Sequence, residues 1–381
     1  MGRDVPLGRI AGIKVNMDLS VLLVAGYLTW VLATNRLPIE APGQTDLTYW
    51  LGGLGGALLF FVSLMVHEMG HALVARDEGI GVRGISLLLL GGVTKLESAP
   101  TNAKAELRIA LVGPVATAAC SVAFFAGSYA LPSGGIPGLI GNLFHLLGFL
   151  NAALALFNIL PAAPLDGGTV LAATVWRRTG RQTLGMQVAG WAGAAAGSAL
   201  VLLGFKALRD GGSSINGFTW LLVGGFVVMS AARSLRAVPL YAAFEGATVA
   251  EAMAPRPPTV PAWTTVGAFL RALPPDTSHQ AYPVLGDDGR VTGLLTASAI
   301  RSVPPEQWDL LKVADLAFPL DRITVVRVDE PLLPAVQKVD GGDVRDGLVV
   351  GADGTIVGTI DAAALFRALE RRKALEQAPI A

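Results

Sequence analysis

Long uncharged apolar runs constrain this chain more than any other feature. They occupy residues 19–35, 47–66, 109–165, 182–205 and 211–232. A helix of about 20 apolar residues crosses the hydrocarbon core of a bilayer. The third run is broken at its centre by Pro132-Ser133-Gly134-Gly135-Ile136-Pro137-Gly138, a cluster that interrupts helices. It therefore reads as two spans, and the chain as six. Charge divides the chain in the same way. Residues 1–238 carry 16 basic and 11 acidic side chains, whereas the shorter stretch 239–381 carries 13 and 18. An α-helical polytopic membrane domain over 1–238, followed by a soluble α/β domain, fits this split. The formal net charge is zero, so the basic footprint of a nucleic-acid binder is missing. The single cysteine, Cys120, excludes disulfide frameworks and all-cysteine zinc sites.

Basic residues set the expected orientation. With the N-terminus in the cytoplasm, Arg36, Lys206 and Arg209 alone among the basic residues of 1–238 face outward. Six spans then return residues 239–381 to the cytoplasm, giving a multi-pass cell-membrane protein. Met1–Asn16 has no small-residue cleavage site, so no removable signal peptide is expected. Between the second and third spans, Gly84 to Leu96 is too short to cross as a helix. Its Gly91-Gly92 pair between apolar runs suggests a small membrane β-hairpin.

The second run ends in His67-Glu68-Met69-Gly70-His71. Helical positions i and i+4 share a face. Two imidazoles one turn apart can bind one metal ion, with Glu68 placed to take a proton from water. Ionisable groups in a membrane span are costly and point to function. A catalytic zinc takes three protein ligands. The third run ends abruptly at Asp166, within Asn158-Ile159-Leu160-Pro161-Ala162-Ala163-Pro164-Leu165-Asp166-Gly167-Gly168. Asp166 is the expected third ligand of a single Zn2+ per chain, with a helix N-cap as its bland alternative. His145 reads as a helix-packing histidine.

These motifs resemble the site-2 protease family of intramembrane zinc metalloproteases. Leu165-Asp166-Gly167-Gly168 matches the family's second signature, Leu90-Gly91-Gly92 its membrane hairpin, and Ala110-Leu111-Val112-Gly113-Pro114 its Gly-Pro segment. The resemblance implies His67, His71 and Asp166 as zinc ligands and Glu68 as catalytic acid/base. It also implies Asn158 as a substrate-backbone contact. Gly91 and Gly92 lie on the hairpin expected to dock substrate by strand addition. The stretch Val112 to Ala119 lacks the Asn often present after the Gly-Pro pair. The implied substrate is a single-span membrane protein, cleaved within its transmembrane segment.

Residues 246–370 contain an internal repeat at an offset of 65. Asp288-Gly289-Arg290-Val291-Thr292-Gly293-Leu294-Leu295 aligns with Asp353-Gly354-Thr355-Ile356-Val357-Gly358-Thr359-Ile360. The pattern is similar to a tandem pair of CBS domains, here 246–303 and 304–370, with 371–381 as a tail. Several relatives of the site-2 protease family carry such a pair at the C-terminus. It implies modulation, homodimerisation through the pair, and an adenine-nucleotide site. The family's ribose-contact Asp is replaced by Ala299 and Ala364, which weighs against nucleotide binding. A CBS-gated transporter and a catalytically silent substrate-binding relative are the alternatives. The first predicts ionisable residues spread along several spans; the intact Glu68 speaks against the second.

Overall fold

The computed structural model describes residues 4–88, 91–210, 214–274, 279–361, 363–364 and 366–368. The tail read at 371–381, and Leu90 of the hairpin motif, lie outside them. The chain forms two compact units. One comprises Met1–Leu96 and Pro100–Pro239; the other comprises Glu97–Ala99 and Leu240–Ala381.

The first unit opens with strands β1 (Asp4–Ile10) and β2 (Ile13–Asp18). Helix α1 (Ser20–Val31) continues through a π turn to Glu40. Then come α2 (Asp46–Asp77), β3 (Val82–Leu88), β4 (Gly91–Leu96), α3 (Ala103–Ala130) and α4 (Gly135–Asn158). The unit ends with α5 (Asp166–Thr179), α6 (Gln182–Arg209) and α7 (Ser214–Phe244). Six helices among the described residues are long and apolar enough to cross a membrane: Ser20–Glu40, Asp46–Asp77, Ala103–Ala130, Gly135–Asn158, Gln182–Arg209 and Gly217–Phe244. Leu23, Leu58, Leu202 and Leu222 on these helices are exposed, as side chains facing lipid would be. Small residues let the helices meet closely. A Cβ on Gly53 would lie 2.6 Å from the Thr29 carbonyl oxygen of α1.

The expected two-stranded hairpin is part of a larger sheet. Four strands lie in the order β1-β2-β3-β4. The N-terminal segment, read from sequence only for its charge and cleavage signals, forms half of it. Ala11 and Gly12 both have positive φ, at 50° and 79°, and Ile10 pairs with Ile13. Positive φ at both central residues is the geometry of a two-residue type I′ hairpin turn. Ala in that position gives little sequence signal. β2 then pairs parallel with β3, aligning Val15 with Ile85. Ile13 and Ile85 pack against Ala72 of α2, which seats the sheet on the helix carrying the paired histidines. β4 is left as an outer strand.

In the second unit each repeat builds one sheet. β6 (Val260–Pro261), β7 (Ala281–Leu285), β8 (Val291–Thr296) and β9 (Phe318–Pro319) form the first. β5 (Ala254–Pro255), β10 (Thr324–Arg327), β11 (Asp346–Val350) and β12 (Ile356–Asp361) form the second. Each sheet thus borrows a short strand from the other repeat's sequence.

Candidate metal centre

α2 buries His67, Glu68 and His71 to 4%, 5% and 9% exposure. Asp166 is the first residue of α5, and Leu165 is the N-cap; Asp166 does not cap this helix. Its carboxylate lies 3.3 Å from His67 Nε2 and 3.5 Å from His71 Nε2. The two Nε2 atoms are 3.1 Å apart. Tetrahedral zinc with bonds of about 2.1 Å separates its ligand atoms by about 3.4 Å. The 3.3 Å separation is to Oδ2 and the 3.5 Å one to Oδ1, so the carboxylate spans both histidines, and each separation is close to the ligand spacing of such a tetrahedron. Among the described residues this is the one group of three such side chains placed to share a metal ion.

Hydrogen bonding fixes how the imidazoles present themselves. His71 Nδ1 lies 2.7 Å from the Ile109 carbonyl oxygen, which can only accept. His67 Nδ1 lies 2.8 Å from Thr117 Oγ1. The one hydroxyl proton of Thr117 goes to the Gly113 carbonyl at 3.1 Å, so the hydroxyl accepts from His67. Both rings then carry hydrogen on Nδ1 and a bare lone pair on Nε2, the arrangement in which an imidazole binds a metal through Nε2 while Nδ1 donates to an oxygen. Two bare nitrogens 3.1 Å apart repel unless a cation lies between them. Asp166 Oδ2 is buried and accepts no hydrogen bond among the described residues, rare for a buried polar atom. The donor set fits zinc.

Neighbouring elements are shaped around these side chains. A Cβ on Gly113 of α3 would lie 2.3 Å from His71 Nε2 and 2.8 Å from His67 Cε1. The loop before Asp166 is clamped from two sides. A Cβ on Gly167 would lie 2.2 Å from the Ile159 carbonyl oxygen, and one on Gly193 of α6 would lie 2.1 Å from that of Ala163. The Ala163 N–H donates to the Ala189 carbonyl at 3.1 Å. Asp166 is thus delivered by a loop that permits no side chain at these contacts. Arg108 of α3 pairs with Asp77, at 3.3 Å, and with Glu78 beyond the end of α2.

Glu68 turns toward the sheet. A Cβ on Gly92 of β4 would lie 2.3 Å from Glu68 Cγ, so the catalytic-base candidate and Gly92 share one space. Gly91 adopts φ +142° with nothing within 4 Å of its Cβ position. Asn158 is the last residue of α4, half-buried, and its side chain makes no hydrogen bond to the described residues. It is not part of the His67–His71–Asp166 cluster. His145 lies elsewhere on α4, exposed, with its ring 5.2 Å from Phe125. Thr94 and Thr117 were not singled out from sequence. Thr117 occupies the stretch that departs from the family pattern; its signal is a lone threonine one turn after Gly113 on an apolar helix.

The second unit contains a cavity of about 120 Å³ lined by residues of both repeats, including His279, Asp346, Asp361 and Arg367. Asp361 is held bidentately by Arg367 at 2.8 and 3.3 Å. Burial first, then the nearby Asp361, pushes the Asp346 carboxyl up from 3.8 to about 6, against the pull of Arg301. The fold favours the protonated acid. The associated stability is fully present below 3.8 and is lost as pH rises through about 6. Partial solvent access at the cleft holds the effect to the order of 1 kcal/mol. Asp346→Asn should remove that dependence, read as hydrogen exchange at β11 in the full-length protein between about pH 4 and 7. Parallel pH profiles for both proteins would refute it.

A sequence profile of Peptidase family M50 matches residues 55–139 and 136–203. Zinc metalloprotease Rip3 of Mycobacterium tuberculosis is 36% identical over 367 residues, covering 96% of this chain and 93% of that protein. The Site-2 Protease from Methanocaldococcus jannaschii is 25% identical with a TM-score of 0.41, over 61% of this chain and 95% of that one. The CBS domain of the bacterial CNNM/CorC family Mg2+ transporter is 16% identical with a TM-score of 0.30, over 45% of this chain and 94% of that one.

Proposed function

This chain belongs to peptidase family M50, the zinc metalloproteases that include site-2 protease, and from that premise we propose that it cleaves the transmembrane segment of a single-span membrane protein. It is a zinc metalloprotease and a multi-pass membrane protein with a C-terminal CBS pair. In this reading His67, His71 and Asp166 hold the metal and Glu68 is the catalytic acid/base. The observation that carries it is the pair of Nε2 atoms 3.1 Å apart, each facing one oxygen of the Asp166 carboxylate at 3.3 and 3.5 Å, with the buried Oδ2 accepting no hydrogen bond among the described residues.

His67, His71 and Asp166 would hold zinc, which would supply Lewis acidity toward a carbonyl and acidify a water. Glu68 accepts the water's proton and passes it to the leaving amine. A transmembrane helix shields its carbonyls in intrahelical hydrogen bonds, so the substrate must unwind before attack. The outer position of β4 supports docking of the unwound segment by strand addition, with Gly91 and Gly92 leaving room beside Glu68. Asn158, at the end of α4, is our candidate for a substrate-backbone contact. The basic-residue asymmetry favours a cytoplasmic N-terminus and CBS pair. The pair then modulates cleavage from that side and joins two copies. Ala299 and Ala364 weigh against adenine nucleotide as its effector.

Wild-type and Glu68→Gln proteins, purified in detergent, test the assignment on a fluorogenic peptide built on a helix-interrupted transmembrane sequence. The variant should keep its zinc and lose about 10²–10⁴-fold in turnover. Wild-type protein free of zinc, or equal turnover in the two, would overturn it.

A further inference from the structure

Thr94 stands in β4, two residues after Gly92. Alternate residues of a strand project from the same face, so Thr94 and Gly92 share one face, and both meet Glu68. The Thr94 hydroxyl lies 2.8 Å from Glu68 Oε2 and 3.1 Å from the Glu68 carbonyl oxygen. It has one proton to give. The carbonyl sits mid-helix in α2, where the N–H one turn later is its usual partner. The carboxylate oxygen is the stronger acceptor and the nearer one. The other oxygen, Oε1, faces Gly92, whose Cβ position is 2.7 Å from it. One carboxylate oxygen is thus tied down, while the other faces the side of the strand where no side chain intrudes.

We propose that Thr94 is a positioning residue for the reaction: its hydroxyl holds Glu68 through Oε2 so that Oε1 is presented to the attacking water. The proposal rests on the metalloprotease reading of His67, Glu68, His71 and Asp166. A buried carboxylate on a flexible side chain has several rotamers. Fixing one of them places the base within hydrogen-bond reach of its proton, the geometric requirement of general-base catalysis. The strand that presents its edge to substrate would also aim the base.

The test compares wild type, Thr94→Val and Thr94→Ser as full-length proteins in detergent. Three quantities are measured: zinc content, affinity for acetohydroxamate by calorimetry, and kcat and KM on the fluorogenic transmembrane peptide. Hydroxamate chelates the metal through two oxygens and donates its hydroxyl proton toward the neighbouring carboxylate, so it reports Glu68 without any turnover. Thr94→Val should keep zinc and KM, lose about tenfold in hydroxamate affinity and at least about tenfold in kcat. Thr94→Ser, which keeps the hydroxyl, should stay within about threefold of wild type in both. Wild-type hydroxamate affinity and kcat in Thr94→Val would overturn the proposal, as would equal losses in Thr94→Ser. Wild type that binds neither zinc nor hydroxamate would overturn the metalloprotease reading itself, a distinct outcome.

Discussion

Alanine at Gly113 will cost the purified protein most of its zinc, although no ligand is altered. The added Cβ would lie 2.3 Å from His71 Nε2 and 2.8 Å from His67 Cε1. Neither ring is free to swing away. His71 is tied through Nδ1 to the Ile109 carbonyl, and His67 to Thr117. Both anchors lie on α3, the helix that carries residue 113. The rings and the new methyl therefore compete for one space, and the metal-facing nitrogens lose. We expect zinc affinity to fall by about 100-fold, the upper end of what disturbing the groups that orient metal ligands costs. Asp166→Ala should do at least as much, by removing a ligand outright. Atomic absorption on detergent-purified protein, prepared without chelators, checks both. Near-stoichiometric zinc in Gly113→Ala would mean that the helices part more easily than this packing implies. Zinc retained in Asp166→Ala would remove Asp166 from the ligand set.

The Gly92→Ala protein should show the opposite pairing, full zinc with little or no turnover. Here the added Cβ would fall 2.3 Å from Glu68 Cγ and 2.6 Å from Cδ, and its three nearest atoms all belong to Glu68. Glu68 has rotatable bonds, so it can leave, but only by giving up the position in which it faces the site. Moving a general base out of reach removes most of its contribution, about 10²–10⁴-fold. Turnover on the transmembrane peptide, set beside the zinc content of the same preparation, decides the matter. Wild-type kcat in Gly92→Ala would show that Glu68 need not occupy the space observed. Loss of zinc would show that β4 supports the metal site as well as the base.

The residues that the structure gathers as candidate ligands were singled out in the sequence, the two histidines because helix geometry sets their spacing. His67 and His71 share a face on any α-helix. An uncharged run cannot end in Asp166 between Pro164 and a glycine pair without cause. The six spans were legible for a similar reason, since hydrocarbon thickness fixes the length of an apolar helix. The N-terminal strands were not. Their type I′ turn uses Ala11, a residue with no preference for positive φ, and β2 takes its second partner from β3, far along the chain.

Read alone, the chain marked the groups that the proposed site needs: paired histidines, a candidate carboxylate base, a candidate acidic ligand and membrane spans to hold them. Local periodicity and bilayer thickness are short-range rules, and they act on residues close together in the chain. The residues that aim these groups emerge only once the chain is packed. Thr117 and the Ile109 carbonyl set both imidazole tautomers from α3. Gly113 makes space for the imidazole rings from α3, and Gly92 makes it for Glu68 from β4. Thr94 grips the base across a separation of 26 residues. These roles depend on which helix and strand faces come together. That is fixed by packing across the whole unit, and no local pattern records it.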